Sequence, residues 1–347
     1  MRARVVRVGN KHIGGGFPIA IQSMCNTKTE NVKATIEQIL RLEAEGCEIV
    51  RVAVPNMEAA EAIAKIKPQI HIPLVADIHF DYRLAMEAMK NGVDKIRLNP
   101  GNIGSRDRVA EVVAMAKDKG IPIRIGVNGG SLEKELYQKY QGITPEALVE
   151  SAMRHVAILD EMNFSDIVIS LKASDIKLTV DSYRLLSQTV DYPLHLGITE
   201  AGTQFTGTVK SAIGIGILLF DGIGSTIRVS LTDDPVQEIK VAKKILEVME
   251  LRHFGIKMVS CPTCGRTEVD LVGIAKKLEE RIQGIDKNIT LAVMGCAVNG
   301  PGEAKEADIG IAGGKNEFLL FKKGVVVKKL KEDEVIEAVM AEIAEME

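Results

Sequence analysis

Short β-rich apolar runs alternate with amphipathic helical runs from about residue 19 to residue 250, and this alternation restricts the fold more than any other feature of the chain. The strand-like runs are 19–24, 48–54, 73–77, 95–98, 122–127, 166–171, 193–197 and 225–230. Helical patterns such as 32–44, 57–67, 106–119, 145–162 and 235–249 lie between them. A helix between successive strands lets them pair in parallel, so the pattern builds βαβ units. Eight such units fill the roughly 250 residues of a closed (β/α)8 barrel. An open doubly wound sheet competes, but the glycine patterns that usually mark it, G-x-G-x-x-G and G-x-x-x-x-G-K-[ST], do not occur. The sequence therefore predicts an α/β chain: a TIM-like (β/α)8 barrel over residues 1–254 and a smaller α+β domain over 255–347.

Barrel active sites form at the C-terminal ends of the strands. Here those ends read VRVAVP, VADIHF, KIRLNPGN, IRIGVNGG, ISLKAS, HLGITEAG and IRVSLT. Arg97 and Asn99 are two positions apart, as are Arg124, Gly126 and Asn128, and Arg228 and Ser230. Period-two spacing puts each set on one face of its strand. Arg51 and Lys172 occupy equivalent points. If that face is the interior, five cations meet in one pocket, and unpartnered buried charge is costly. An anion bearing more than one phosphate is the economical partner, because guanidinium forks match phosphate oxygens.

Any single strand-end arginine is as readily explained by a local carboxylate, and Asp77, Asp81, Asp94 and Glu200 are available. Five at matching ends favour a ligand. The Asn99-Pro100-Gly101-Asn102 and Asn128-Gly129-Gly130 segments read equally as turns and as backbone cradles for phosphate. His195 and Glu200 flank Gly197, and Glu200 either pairs structurally or moves protons. His12, His71, His79, His155 and His253 read as structural, and Cys25 and Cys47 as small buried hydrophobes.

Charge excludes some functions. With 44 basic against 47 acidic residues, no tryptophan and 4% aromatics, the chain lacks the field and the stacking platforms of a nucleic-acid binder. Its longest apolar stretch, 212–220, is about half the ~20 residues of a membrane helix. The N-terminus has no signal-peptide pattern. A soluble cytoplasmic protein is expected, and in that compartment a C-x-x-C favours metal over disulfide.

The last hundred residues carry that motif. A strand at 257–260 leads into Cys261-Pro262-Thr263-Cys264-Gly265-Arg266. A helix at 268–283 and a strand at 289–294 lead to Gly295-Cys296-Ala297-Val298-Asn299-Gly300-Pro301-Gly302-Glu303. Strands at 308–312, 317–321 and 325–328 and a helix at 333–346 finish the domain. C-P-x-C-G alone reads as half of a zinc ribbon, but structural zinc takes four ligands. After Cys264 there is one further cysteine, Cys296, and no histidine. Three thiolates on strand-end loops can instead hold an iron–sulfur cluster whose fourth iron binds something else, and Glu303 is the nearest oxygen ligand.

Together, HLGITEAG, CPTCGR and GCAVNGPGE, with VRVAVP, ADIHF, IRLNPGN and RIGVN upstream, resemble the GcpE (IspG) family. These are the 4-hydroxy-3-methylbut-2-enyl diphosphate synthases of the methylerythritol phosphate isoprenoid pathway, here in the two-domain bacterial form. The resemblance implies a 4Fe-4S cluster held by Cys261, Cys264, Cys296 and Glu303. It implies 2-C-methyl-D-erythritol 2,4-cyclodiphosphate as substrate, gripped by Arg51, Arg97, Arg124, Asn128, Lys172, Arg228 and Ser230. Glu200 would be the acid–base residue, with Asp77, Asn99 and His195 in secondary positions. A single cluster passes electrons one at a time, so ferredoxin or flavodoxin is the expected donor. A homodimer in which each cluster domain caps its partner's barrel would bring cluster and barrel mouth together.

Two rival readings stand beside this one. The first is a pterin-binding-type barrel with a structural metal knob; the second is a metal-stabilised module for phosphorylated metabolites. Both predict zinc or no essential metal. The 133–140 segment reads either as a lid or as an extra surface helix.

Overall fold

The computed structural model of the chain describes residues 3–296, 304–315 and 317–346. The chain forms two compact units, Met1–Arg252 and His253–Glu347.

The first unit opens with a hairpin, β1 (Val6–Val8) and β2 (Lys11–Ile13), turned at Gly9 with φ +57°. Eight parallel strands follow: β3 (Ala20–Met24), β4 (Ile49–Ala53), β5 (Leu74–Asp77), β6 (Lys95–Arg97), β7 (Ile123–Asn128), β8 (Ile167–Lys172), β9 (His195–Leu196) and β10 (Thr226–Ile227). β3 to β8 pair in sequence order, and β10 lies between β9 and β3. A parallel bridge between Ile169 and Leu194 joins β8 to the β9 segment and closes the ring. The result is the TIM-like (β/α)8 barrel.

The last two strands are shorter than their apolar runs. At Gly197 the backbone approaches β10 so closely that a Cβ would lie 2.7 Å from the Arg228 carbonyl oxygen, and the regular ladder stops there.

Local chemistry sets the outer helices. Asn31, Asn56, Asp81, Thr144, Asp175 and Asp234 each accept a backbone N–H at the start of a helix. α1 (Val32–Glu45) and α4 (Arg106–Lys119) end on Gly46 and Gly120 in the left-handed conformation. Between them come α2 (Met57–Ile66) and α3 (Tyr82–Lys90). After β7 a short extra helix, α5 (Lys134–Lys139), precedes α6 (Pro145–Glu161). Its Leu136 is fully buried and Lys139 and Tyr140 both bond Glu150, so segment 133–140 is a docked helix. α7 (Ile176–Thr189), α8 (Gln204–Phe220) and α9 (Pro235–Val248) complete the ring. α8 exposes Phe205, Val209, Ile213, Ile217 and Phe220 along one face. No helix among the described residues is long and apolar enough to cross a membrane.

Val6, Val8 and Ile13 of the hairpin pack against Ala20, Ile49, Val75 and Val168 at the N-terminal ends of β3, β4, β5 and β8, and so plug the barrel floor. Each buried aliphatic side chain is worth about 2 kcal/mol. Counting upward in twos from this layer fixes what faces the lumen. Above the apolar floor come Gln22, Lys95, Arg124, Ser170, His195 and Thr226, and above these Met24, Arg51, Asp77, Arg97, Lys172 and Arg228. The lumen thus grades from aliphatic to cationic toward the mouth.

The second unit is a five-stranded mixed sheet. β11 (Lys257–Ser260), β12 (Thr290–Met294) and β13 (Ile309–Gly313) run parallel, and β14 (Phe318–Lys322) and β15 (Val325–Leu330) continue antiparallel. α10 (Leu271–Ile282) and the closing helix Val335–Glu345 cover one face, packing Leu278, Val339 and Ile343 on Leu291, Val293, Ile309 and Ile311. The intervening Ala292, Met294 and Ala312 point the other way, onto Ala304, Ala307 and Phe321.

Candidate active site

Cα partners across β5, β6 and β7 run Asp77, Arg97, Arg124, so these three side chains share the inner face. Asp77 is the hub of the upper layer, 3.2 Å from Arg97 Nη1 and 3.6 Å from Arg51 Nε. Burial alone would raise its pKa; Arg51, Arg97 and Arg124 together hold it below the usual carboxylate value. Asp81 and Asp94 serve elsewhere, on Arg83 and Lys67, and take no part in the cation cluster.

The cations outnumber their partners. Arg51, Lys95, Arg97, Arg124 and Lys172 are buried, and Arg228 is nearly so. Asp77 and Glu238 are the carboxylates paired with this group among the described residues. Arg228 Nε lies 3.5 Å from Glu238, which also accepts from Ser23 Oγ at 2.8 Å. Arg51 spends two of its N–H groups on the Met24 thioether, at 2.9 and 3.1 Å, a weak acceptor. Arg124 Nε and Nη1 and His195 Nε2 are buried with no partner in the described structure.

Burial, aided by repulsion from Arg228 and Arg97, lowers Arg51 to about 10. It lowers Arg124, Lys172 and Lys95 well below their ordinary values, with neighbouring cations adding to the effect. His195, desolvated and facing Arg124 and Lys172, is held neutral, and its Nδ1 lies 2.7 Å from Thr226 Oγ1. Orphaned buried donors and a cationic excess are what a multiply charged anion would satisfy.

Two glycines make room for the cation cluster. A Cβ on Gly126 would fall 2.6 Å from Arg97 Nε, and one on Gly197 2.9 Å from Lys172 Nζ. Arg97 Nη2 donates to the Gly126 carbonyl at 2.9 Å. Asn99 bonds both Gly126 N and Gly126 O. Asn128 sits in register with Lys172 at the rim, and Ser230 is half-buried beyond β10. Glu200 is exposed, with φ +52°. That left-handed backbone is costly for a side-chain-bearing residue and typical of functional turns.

Sequence reasoning missed some members. Lys95 is one alternation below Arg97, a signal the strand spacing already contained. Glu238 lies on α9, and only the fold brings it to β3 and β10. His79, read as structural, has Nε2 3.0 Å from Arg97 Nη1 and 3.5 Å from Asp77.

In the second unit Cys261 and Cys296 follow the C-terminal ends of the adjacent parallel strands β11 and β12, and Cys264 is three residues on. Gly295 N donates to Cys261 Sγ at 3.2 Å. Backbone and side-chain donation from Arg266 lowers the Cys264 pKa. Burial, by contrast, pushes Cys25 and Cys47 up to about 12. None of the three late cysteines is buried, and three thiols on strand-end loops are a donor set suited to iron–sulfur ligation. Among the described residues no group of three or more His, Cys, Asp or Glu converges as a metal site, and Glu303 lies outside the described residues.

Two family models match the chain, the GcpE TIM-barrel domain over residues 3–243 and the GcpE protein C-terminal domain over 257–345. A protein of Ruminiclostridium cellulolyticum named 4-hydroxy-3-methylbut-2-en-1-yl diphosphate synthase (flavodoxin) is 60% identical over 345 residues, covering 99% of this chain and 98% of its own. One of Geobacter sulfurreducens with the same name is 59% identical over 342 residues, covering 99% and 97%. Among solved structures, dihydropteroate synthase from Stenotrophomonas maltophilia matches with a TM-score of 0.52 at 12% identity, over 72% of this chain and 98% of that one. That last likeness is one of fold.

Proposed function

Since the chain belongs to the GcpE family, we propose that it opens 2-C-methyl-D-erythritol 2,4-cyclodiphosphate reductively to 4-hydroxy-3-methylbut-2-enyl diphosphate. The reaction consumes two electrons and two protons and releases water. The observation that carries the reading is the buried cationic excess in the barrel lumen, which suits a diphosphate.

Arg51, Arg97, Arg124, Lys172 and Arg228 grip the diphosphate oxygens in place of their present weak or missing acceptors. Asn99, Asn128, Ser230 and His195 offer neutral polar groups around the ring, and Asp77 holds Arg51 and Arg97 in place. Fixed charges in a desolvated lumen stabilise the diphosphate as the ring bond breaks, because they need no reorganisation. Glu200 supplies a proton to the departing hydroxyl. Cys261, Cys264, Cys296 and Glu303 would hold a 4Fe-4S cluster, which would supply electrons one at a time.

Flavodoxin is the donor the relatives' names support, in the reducing cytoplasm. The active form is a homodimer whose cluster domains cap the partner barrels. The apolar stripe on α8, exposed from Phe205 to Phe220, supports pairing of two copies.

EPR of anaerobic, dithionite-reduced protein tests this reading. A cluster signal that changes on adding the cyclic diphosphate is expected. Zinc without iron would overturn it.

A further inference from the structure

Lys95 is a buried amine that the clamp does not use. It lies one alternation below Arg97 on β6 with its side chain fully enclosed. Among the described residues Nζ has one hydrogen-bond acceptor, Gln22 Oε1 at 3.4 Å, and no carboxylate within ion-pairing distance. Charged neighbours bear on it from several strands. Arg51 on β4 and Arg124 on β7 repel its charge, His195 on β9 is neutral, and Asp77 on β5 is committed to Arg51 and Arg97. Gln22 on β3, Ser170 on β8 and Thr226 on β10 are uncharged.

We propose that Lys95 is a positioning residue of the diphosphate site, neutral in the unliganded protein and protonated when the anionic ligand binds. The proposal rests on the anion-site reading above. Guanidinium groups do not release protons in proteins, so beside Arg124 and beneath Arg51 and Arg97 an amine is the group whose charge can adapt; the other amine of the cluster, Lys172, lies in the upper layer among the clamp residues. Among the described residues the orphaned polar atoms of that layer are Gln22 Nε2, Arg124 Nε and Nη1, all donors, and the ring nitrogen Nε2 of His195. A neutral amine contributes a lone pair to such a layer, whereas an ammonium adds three more donors. When the diphosphate supplies negative charge and acceptors overhead, the balance reverses and the ammonium becomes the favoured form.

The test is calorimetric titration of the oxidised, cluster-loaded full-length protein with the cyclic diphosphate. The phosphates of this ligand do not titrate near neutrality. Measurements in two buffers of different ionisation enthalpy at about pH 8 give the protons exchanged. Wild type is expected to take up about one proton on binding. Lys95→Met is expected to lose that uptake and to bind at least about tenfold more weakly, with an unliganded melting midpoint no lower than wild type. Lys95→Gln, which keeps a polar contact to Gln22, provides the same reading if the methionine variant folds poorly. Binding without proton uptake, or equal uptake in wild type and Lys95→Gln, overturns the assignment of Lys95. Absence of binding to wild type overturns the anion-site reading instead.

Discussion

Asn99 pairs with Gly126 through both halves of its side-chain amide, accepting from Gly126 N at 2.9 Å and donating to Gly126 O at 3.0 Å. The side chain thereby imitates one more rung of the β6–β7 ladder beyond Arg97, where β6 ends. Asn99→Leu should leave the Gly126 N–H orphaned at a cost of about 2 kcal/mol in denaturant unfolding. Because Arg97 shares the same carbonyl, KM should rise as well. Unchanged stability would show that the exchange is incidental.

Alanine at the two lumen glycines should fail in different ways. At Gly126 the new methyl meets the Arg97 guanidinium, a flexible side chain that can swing aside. Gly126→Ala should therefore stay folded while binding the diphosphate at least about tenfold more weakly, the loss of one charged clamp residue. At Gly197 the methyl meets the Arg228 carbonyl, which cannot yield without moving β10. Gly197→Ala should lower the melting temperature by several degrees, a cost of about 1–3 kcal/mol.

Asp77→Asn removes the carboxylate between Arg51 and Arg97. The unliganded protein should lose about 3 kcal/mol, because two buried guanidinium groups lose their counter-ion. The pH dependence has a definite sign. The folded pKa of Asp77 is depressed, so its stabilisation is complete above the unfolded value of about 3.9 and is lost as pH falls through the lower folded value. Acid unfolding of the variant should be correspondingly flatter in that window. Parallel acid titrations by circular dichroism would show it.

Glu200→Gln should retain cluster, fold and substrate affinity and lose turnover by about 100-fold or more, the usual scale for a general acid. Its side chain is exposed, so no packing is disturbed. Full activity in steady-state assays would remove Glu200 from the mechanism.

Ile213→Asp places a charge at the middle of the α8 stripe. Ile213 is exposed in the single chain, so the monomer should fold normally. Sedimentation velocity should show a shift from dimer to monomer; an unchanged mass would place the interface elsewhere.

Much of this architecture was legible before folding. The alternation of strand and helix patterns announced the barrel, and period-two spacing placed Arg97 with Asn99 and Arg124 with Asn128. Other members were hidden for physical reasons. The hairpin arms Val6–Val8 and Lys11–Ile13 are three residues each, too short for periodicity to register. Glu238 reads as one more charge on an amphipathic helix, and only packing of α9 against β3 and β10 shows that it counters Arg228. Lys95 was visible in the spacing, yet burying an ammonium so deeply runs against the usual expectation for lysine. The cysteine motifs pointed to metal ligation by residue type alone, and Glu303, the fourth expected ligand, falls in a segment outside the described residues.

The plug under the barrel has a consequence for synthesis. Val6, Val8 and Ile13 are translated well before Val168, which forms part of the seat they fill. More than 150 further residues must be translated before that seat exists, so the hairpin must wait in the nascent chain with its valines uncovered. Polar substitutions at Val6 or Val8 should therefore affect the yield of folded protein more than the activity of the molecules that complete the barrel.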